Sequence, residues 1–146
     1  MKQEPSLESR ALKLLSRREH SRAELQKKLS AHAENPAEVD ALLDNLEQRG
    51  WLSETRFVEA VINTRRRRFG AARIAHELRQ KGVGEELVAA HAIKLRETEL
   101  EAAREVWRKK FGVRPRNNDE RGRQVRFLQN RGFSSEVIFQ LLKEKD

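Results

Sequence analysis

The stretch R-R-R-R-F-G-A-A-R-I-A-H-E-L-R-Q-K-G-V, from Arg65 to Val83, holds seven cations and a single carboxylate, Glu77. Its apolar residues are ordered all the same. Ala71, Ile74, Ala75 and Leu78 recur at i, i+3, i+4 and i+7, the inward stripe of an amphipathic helix, and Gly82 is placed to end that helix in the left-handed region. A basic run in folded structure repels itself, which points to an anionic partner. The plainer reading is a solvated helix face with Glu77 pairing Arg73 and Lys81 at i,i±4. One carboxylate cannot neutralise seven cations, so the binding reading is preferred.

Working outward, helix signals are dense and strands almost absent. Ser6 caps a first helix with Leu7, Ala11, Leu14 and Leu15 inward, and Ser21 with Glu24 forms a capping box ahead of Leu25 and Leu29. Asn35, Pro36 and Glu38 open a third helix (Val39, Leu42, Leu43, Leu46), Gly50 stops it, and Trp51 and Leu52 are expected to fold back against it. Ser53 caps a fourth helix with Phe57, Val58, Val61 and Ile62 inward, and Gly84 leads into a sixth through Glu85 and Glu86. The spacing of Thr98 and Glu101 predicts a capping box that separates the sixth helix from a seventh. Gly112 to Asn118 is a loop, an eighth helix runs to Gly132, and Ser134 or Ser135 caps a ninth.

The pattern repeats. L-R-Q-K-G-V-G-E-E-L at Leu78 aligns without gaps on L-Q-N-R-G-F-S-S-E-V at Leu128, Leu25 and Leu29 take the places of Ile74 and Leu78, and Phe69-Gly70 recurs as Phe111-Gly112. The fold expected is all-α, a tandem array of three three-helix units at 1–52, 53–96 and 97–146. Such an array is elongated, with curvature allowed, because each unit is too small to bury much core by itself.

Composition agrees. Leu, Ile, Val and Phe make up 36 of 146 residues, more than a disordered chain carries. The net charge of +8 favours nucleic acid or an acidic protein surface. Charge is also segregated, with six carboxylates and one arginine from Glu34 to Glu54 but ten cations and three carboxylates from Arg104 to Arg131. There is no cysteine, no apolar h-region in M-K-Q-E-P-S-L-E-S-R and no apolar run of membrane-spanning length. A soluble cytoplasmic protein with no membrane partner is expected.

Catalytic patterns are missing. His76-Glu77 is followed by Gln80 where a zinc protease needs histidine, and His20, His32, His76 and His91 are scattered, as surface or boundary residues are. Gly82-Val83-Gly84 lacks the lysine and spacing of a phosphate loop, and no nucleophile stands beside a base. No enzyme, metal site or cofactor is expected. Two binding classes remain: a DNA-binding regulator of the helix-turn-helix kind, and a modulator docking on a nucleoprotein through a basic face.

A-L-K-L-L-S-R-R-E-H-S-R-A-E-L-Q-K-K-L (Ala11 to Leu29) resembles the N-terminal signature of the RecX family, regulators of the RecA recombinase. Arg56-Phe57 and G-A-A-R-I-A-H-E-L-R-Q-K-G-V (Gly70 to Val83) are similar to its central signature, and R-F-L-Q-N-R-G-F-S (Arg126 to Ser134) to its C-terminal one. Ala72 stands where the family often has proline, and Glu54 where it often has aspartate. The resemblance implies three tandem three-helix units and no catalysis or cofactor. It implies binding to the RecA–single-stranded DNA filament, with inhibition of recombinase and co-protease activity in most members. An array lying in the filament groove would bridge protomers and DNA and block filament growth or passage of a second strand. The protein is expected to be a monomer.

The candidate partner- and DNA-binding residues are Arg66, Arg67, Arg68, Arg73, Arg79, Lys81, Arg121, Arg123, Arg126 and Arg131. Helical periodicity sends Arg66 and Arg67 into solvent and leaves Arg79 unpaired within its helix. DNA binding should be weak, indifferent to sequence and steeply weakened by salt, because neutralised phosphates release counterions. Titration of oligonucleotides of differing sequence across a salt series checks this; a flat salt response would contradict it.

Overall fold

The computed structural model describes residues 4–144. Among them are nine helices and no strand: α1 (Leu7–Arg17), α2 (Arg22–Ser30), α3 (Pro36–Gln48), α4 (Glu54–Arg65), α5 (Ala71–Gln80), α6 (Glu85–Glu97), α7 (Glu99–Lys110), α8 (Asn118–Asn130) and α9 (Ser135–Lys143). The protein is all-α, as its periodicity predicts. It divides into two compact bodies. One comprises Ala60 and the residues before it together with Gln80–Gly84; the other comprises Val61–Arg79 and the residues from Glu85 on.

In the first body α1, α2 and α3 close over Ala11, Leu25, Leu29, Val39, Leu43, Leu46 and Leu52, each removed from water. Burying a leucine of this kind stabilises by roughly 1.5–3 kcal/mol. The caps form from the residues that predict them: Ser6 accepts from Ser9 N, and Ser21 and Glu24 exchange both bonds of a capping box. Asn35 accepts from Glu38 N, but the Glu38 carboxylate reaches back to Glu34 N, one residue beyond the cap. Leu52 folds back beneath α3 as expected, whereas Trp51 is 52% exposed. Both of their amides donate to Leu46 O, so the backbone closure needs no indole contact.

His20 is not a boundary histidine; it is buried. Lys28 Nζ stands 3.3 Å from Nε2 and can only donate, so the ring proton sits on Nδ1, 3.0 Å from Arg18 O. Burial lowers its pKa, and the neighbouring Arg18 and Lys28 charges add to that.

In the second body α7, α8 and α9 enclose Ala103, Val106, Trp107, Leu128, Phe133, Ile138, Leu141 and Leu142. Trp107 Nε1 donates to Gln124 Oε1 at 2.8 Å and Gln124 Nε2 donates to Val113 O at 2.9 Å, which satisfies the polar atoms of both buried side chains. Asn117 and Ser134 cap α8 and α9. The break between α6 and α7 falls at Thr98, where expected, but no capping box forms. Thr98 Oγ1 instead accepts from Arg66 Nη2 at 3.1 Å.

The ungapped alignment of Leu78 on Leu128 has a counterpart inside each body. Gly82 (φ 83) packs on Ala23 at the start of α2, and Gly132 (φ 90) packs on Arg73 near the start of α5. Both partners of the second contact lie fifty positions after those of the first. The polar contacts match as well: Ser21 Oγ donates to Lys81 O, and Gly70 N donates to Arg131 O, each at 2.7 Å. A carboxylate completes each junction. Glu54 Oε1 accepts from Arg22 N, and Glu99 Oε1 accepts from Ala71 N, both at 2.6 Å. Glu54, standing where the resembled family often has aspartate, thus still serves a carboxylate's role. The Phe69-Gly70 and Phe111-Gly112 likeness has no such counterpart: Gly70 faces Gly132 at the head of α5, while Gly112 (φ 69) follows the end of α7.

Glu24 ties the first junction together. Burial would raise its pKa, but bonds from Arg18 and Ser21 N, with the charges of Arg18 and Lys81, outweigh that and hold it at about 2. A carboxylate depressed from 4.5 stabilises the fold fully above that value and ceases to do so as pH falls through about 2. Thermal melts of the parent and Glu24→Gln should therefore differ most at neutral pH and converge between pH 4.5 and 2. A gap independent of pH would contradict the assignment.

Candidate anion-binding surface

The seven cations of the opening stretch are not left to one carboxylate. Arg65 pairs with Glu77 at 3.1 Å, Arg79 with Glu85 at 2.8 Å, and Lys81 with Glu24 at 3.7 Å. Glu77 therefore serves neither Arg73 nor Lys81, the partners its i,i±4 spacing suggests. Arg79, expected to be unpaired within its helix, makes a two-bond contact to Glu85 across the turn into α6. None of these partners shares a helix with its cation.

Arg66 departs further from its expected place in solvent. It is half-buried, and its Nη2 donates to Leu95 O and Thr98 Oγ1 at the α6–α7 break. Burial pushes its pKa down, opposed by the charge of Glu99, and Nη1 is enclosed without a hydrogen-bond partner. Arg67 is exposed, as predicted. The two arginines stand at a groove of about 650 Å³ whose opposite wall is α7, with Arg104, Arg108 and Lys109. Arg104 is held by Glu144 at 2.6 Å and Arg108 by Glu105, so Arg67 and Lys109 are the groove's freest cations.

A second cluster gathers Arg68, Arg73 and Arg131 around one ring. Their guanidinium carbons lie 5.8, 4.2 and 5.3 Å from the centroid of Phe69. Arg131 also lies 5.0 Å from Phe127, over which Lys110 Nζ stands at 5.4 Å. The remaining predicted residues are dispersed. Arg121 lies over Phe139 at 5.7 Å, Arg123 borders a smaller hollow with Arg114 and Arg116, and Arg126 lies across Gly122. Lys81 belongs to the first compact body, the others to the second.

Sequence reasoning missed Phe69, Phe127, Lys110 and the α7 cations. The helical spacing of the eight Phe and Trp residues reads most of them as core. The signal available was Phe-x-x-x-Arg, present at both Phe69–Arg73 and Phe127–Arg131, a separation at which side chains on a turn meet. Among the described residues no group of His, Asp and Glu is arranged to hold a metal ion, and no helix is long and apolar enough to cross a membrane.

Repeated three-helix motifs carrying arginine clusters define a class of all-helical proteins whose apparatus is a charged surface. Known proteins narrow this. The first, second and third three-helix domains of RecX match residues 9–46, 53–91 and 97–142. The regulatory protein RecX of Leptothrix cholodnii is 52% identical over 141 residues, covering 97% of this chain and 90% of that protein. That of Ralstonia nicotianae is 46% identical, covering 97% and 89%. The crystal structure of RecX from Lactobacillus salivarius shares the fold, with a TM-score of 0.79 at 17% identity over 94% of this chain and 92% of that one. The chain belongs to the RecX family of regulatory proteins.

The two neighbouring arginines should behave differently. Arg66→Glu places a carboxylate at a half-buried site near Glu99 and should lower the melting temperature by several degrees. Arg67→Glu, on the exposed side, should cost within ~0.5 kcal/mol. Circular dichroism melts of both variants check this; equal melting would contradict the placement of Arg66.

Proposed function

We propose that this protein binds the filament formed by RecA on single-stranded DNA and inhibits its recombinase and co-protease activities. It does so without catalysis or cofactor, as a cytoplasmic monomer, with three units at 1–52, 53–96 and 97–146. The observation that carries the reading is the set Arg67, Arg68, Arg73 and Arg131: four cations in one compact body with no ion-pair partner among the described residues. Family membership adds the regulatory role.

An anionic polymer is the partner such a set suits, since each bound phosphate relieves repulsion among the cations and releases counterions. Of the ten candidate residues, we propose Arg67, Arg68, Arg73 and Arg131 as the centre of the contact. Arg79 and Lys81 contribute less, because carboxylates already neutralise them.

Cosedimentation with RecA filaments, compared with naked single-stranded DNA at equal phosphate, tests the proposal. Strong preference for filaments is the expected outcome, accompanied by slower strand exchange. Equal binding to both would favour a stand-alone DNA-binding regulator instead.

A further inference from the structure

Phe69 is half-buried just before α5 and is bordered by three guanidinium groups. A guanidinium stacked on a ring uses its face and keeps its in-plane N–H donors for an oxyanion, which an ammonium group cannot do. Two of the three are also tethered in place: Arg73 Nη1 donates to Asn130 O at 2.9 Å, and Arg131 Nη1 to Arg68 O at 3.4 Å. These bonds leave further N–H donors on each group. No carboxylate pairs with any of the three among the described residues, so the cluster retains its full charge.

We propose that Phe69 is a positioning residue that assembles Arg68, Arg73 and Arg131 into one binding site for the phosphodiester backbone of nucleic acid. The ring arranges the charges, and the donors at the guanidinium edges receive the phosphate oxygens. Lys110, over the adjoining Phe127 ring, extends the row so that a strand carrying regularly spaced charges can follow it. Such a site fixes the strand without reading its bases. Arginine clusters also receive acidic peptides, but a strand of regularly spaced phosphates engages Arg68, Arg73, Arg131 and Lys110 together and is the better fit.

The inference rests on the reading that the protein meets a nucleic-acid filament, but its test does not require one. Fluorescence anisotropy would follow a labelled single-stranded oligonucleotide without RecA from low to high salt. Changing Arg68, Arg73 and Arg131 together to Gln should lower the salt slope by about two, as expected for three lost phosphate contacts on a single strand. Phe69→Leu, and independently the Arg73→Lys and Arg131→Lys pair, should weaken binding about tenfold with the slope nearly unchanged, since the charges stay and the stacking goes. Circular dichroism melts verify that each variant is folded, and the lysine pair keeps the test valid should Phe69→Leu unfold. Wild-type affinity in the lysine pair would overturn the platform role, as would a triple variant with an unaltered slope. Competition by an acidic peptide but not by unlabelled oligonucleotide would transfer the site to a protein partner. A wild-type protein that binds oligonucleotides as described but ignores RecA filaments would contradict the proposed function and leave this site standing.

Discussion

A glycine turn in the left-handed region, seated on the first residues of a helix much earlier in the chain, recurs in each compact body at an offset of fifty positions. At Gly132 two requirements coincide. Its φ of 90 disfavours any L side chain, and a Cβ there would lie 2.5 Å from that of Arg73. The close approach lets Gly70 N reach Arg131 O, and Gly82 on Ala23 does the same for Ser21 Oγ and Lys81 O. A three-helix motif of this size buries little core by itself, so such junctions add order that the motif lacks alone.

The junctions also meet a backbone constraint. The first amides of a helix have no partner within it, and at α2 and α5 a glutamate from the opening turn of the next motif supplies one. Glu54 and Glu99 are each the first residue of their own helix, so their carboxylates meet two helix N-termini at once. The cost is burial of a charge, and it shows at Glu54, where burial raises the pKa against the lowering effect of the Arg22 amide.

The same junction bears on the surface chemistry. Arg73 packs against Gly132, and Arg131 precedes it, so seating the turn brings Arg131 from a distant part of the chain to the Phe69 ring that Arg73 already borders. Several other arginines are neutralised by pairing, as Arg79 with Glu85 and Arg104 with Glu144. Around Phe69 the chain stacks its arginines and leaves the charge in place. A protein with 31 Lys and Arg against 23 Asp and Glu thus gathers part of its surplus into one cluster.

Local interactions made much of this protein legible from its residues. Ser6, Ser21, Asn35 and Ser134 cap helices because capping acts over three or four residues, and the stripe Ala71, Ile74, Ala75, Leu78 is buried because periodicity is a property of one helix. The fifty-residue register was readable too, since equivalent turns demand glycine at equivalent places. What tertiary structure decided was the fate of each charge. Arg66 is drawn inward by the Leu95 carbonyl and Thr98, and Arg79 is taken by Glu85. Arg131 reaches Phe69 from sixty-two positions away. Long, flexible cationic side chains go where carbonyls, carboxylates and rings from other helices present themselves, and the period of their own helix carries no record of those partners.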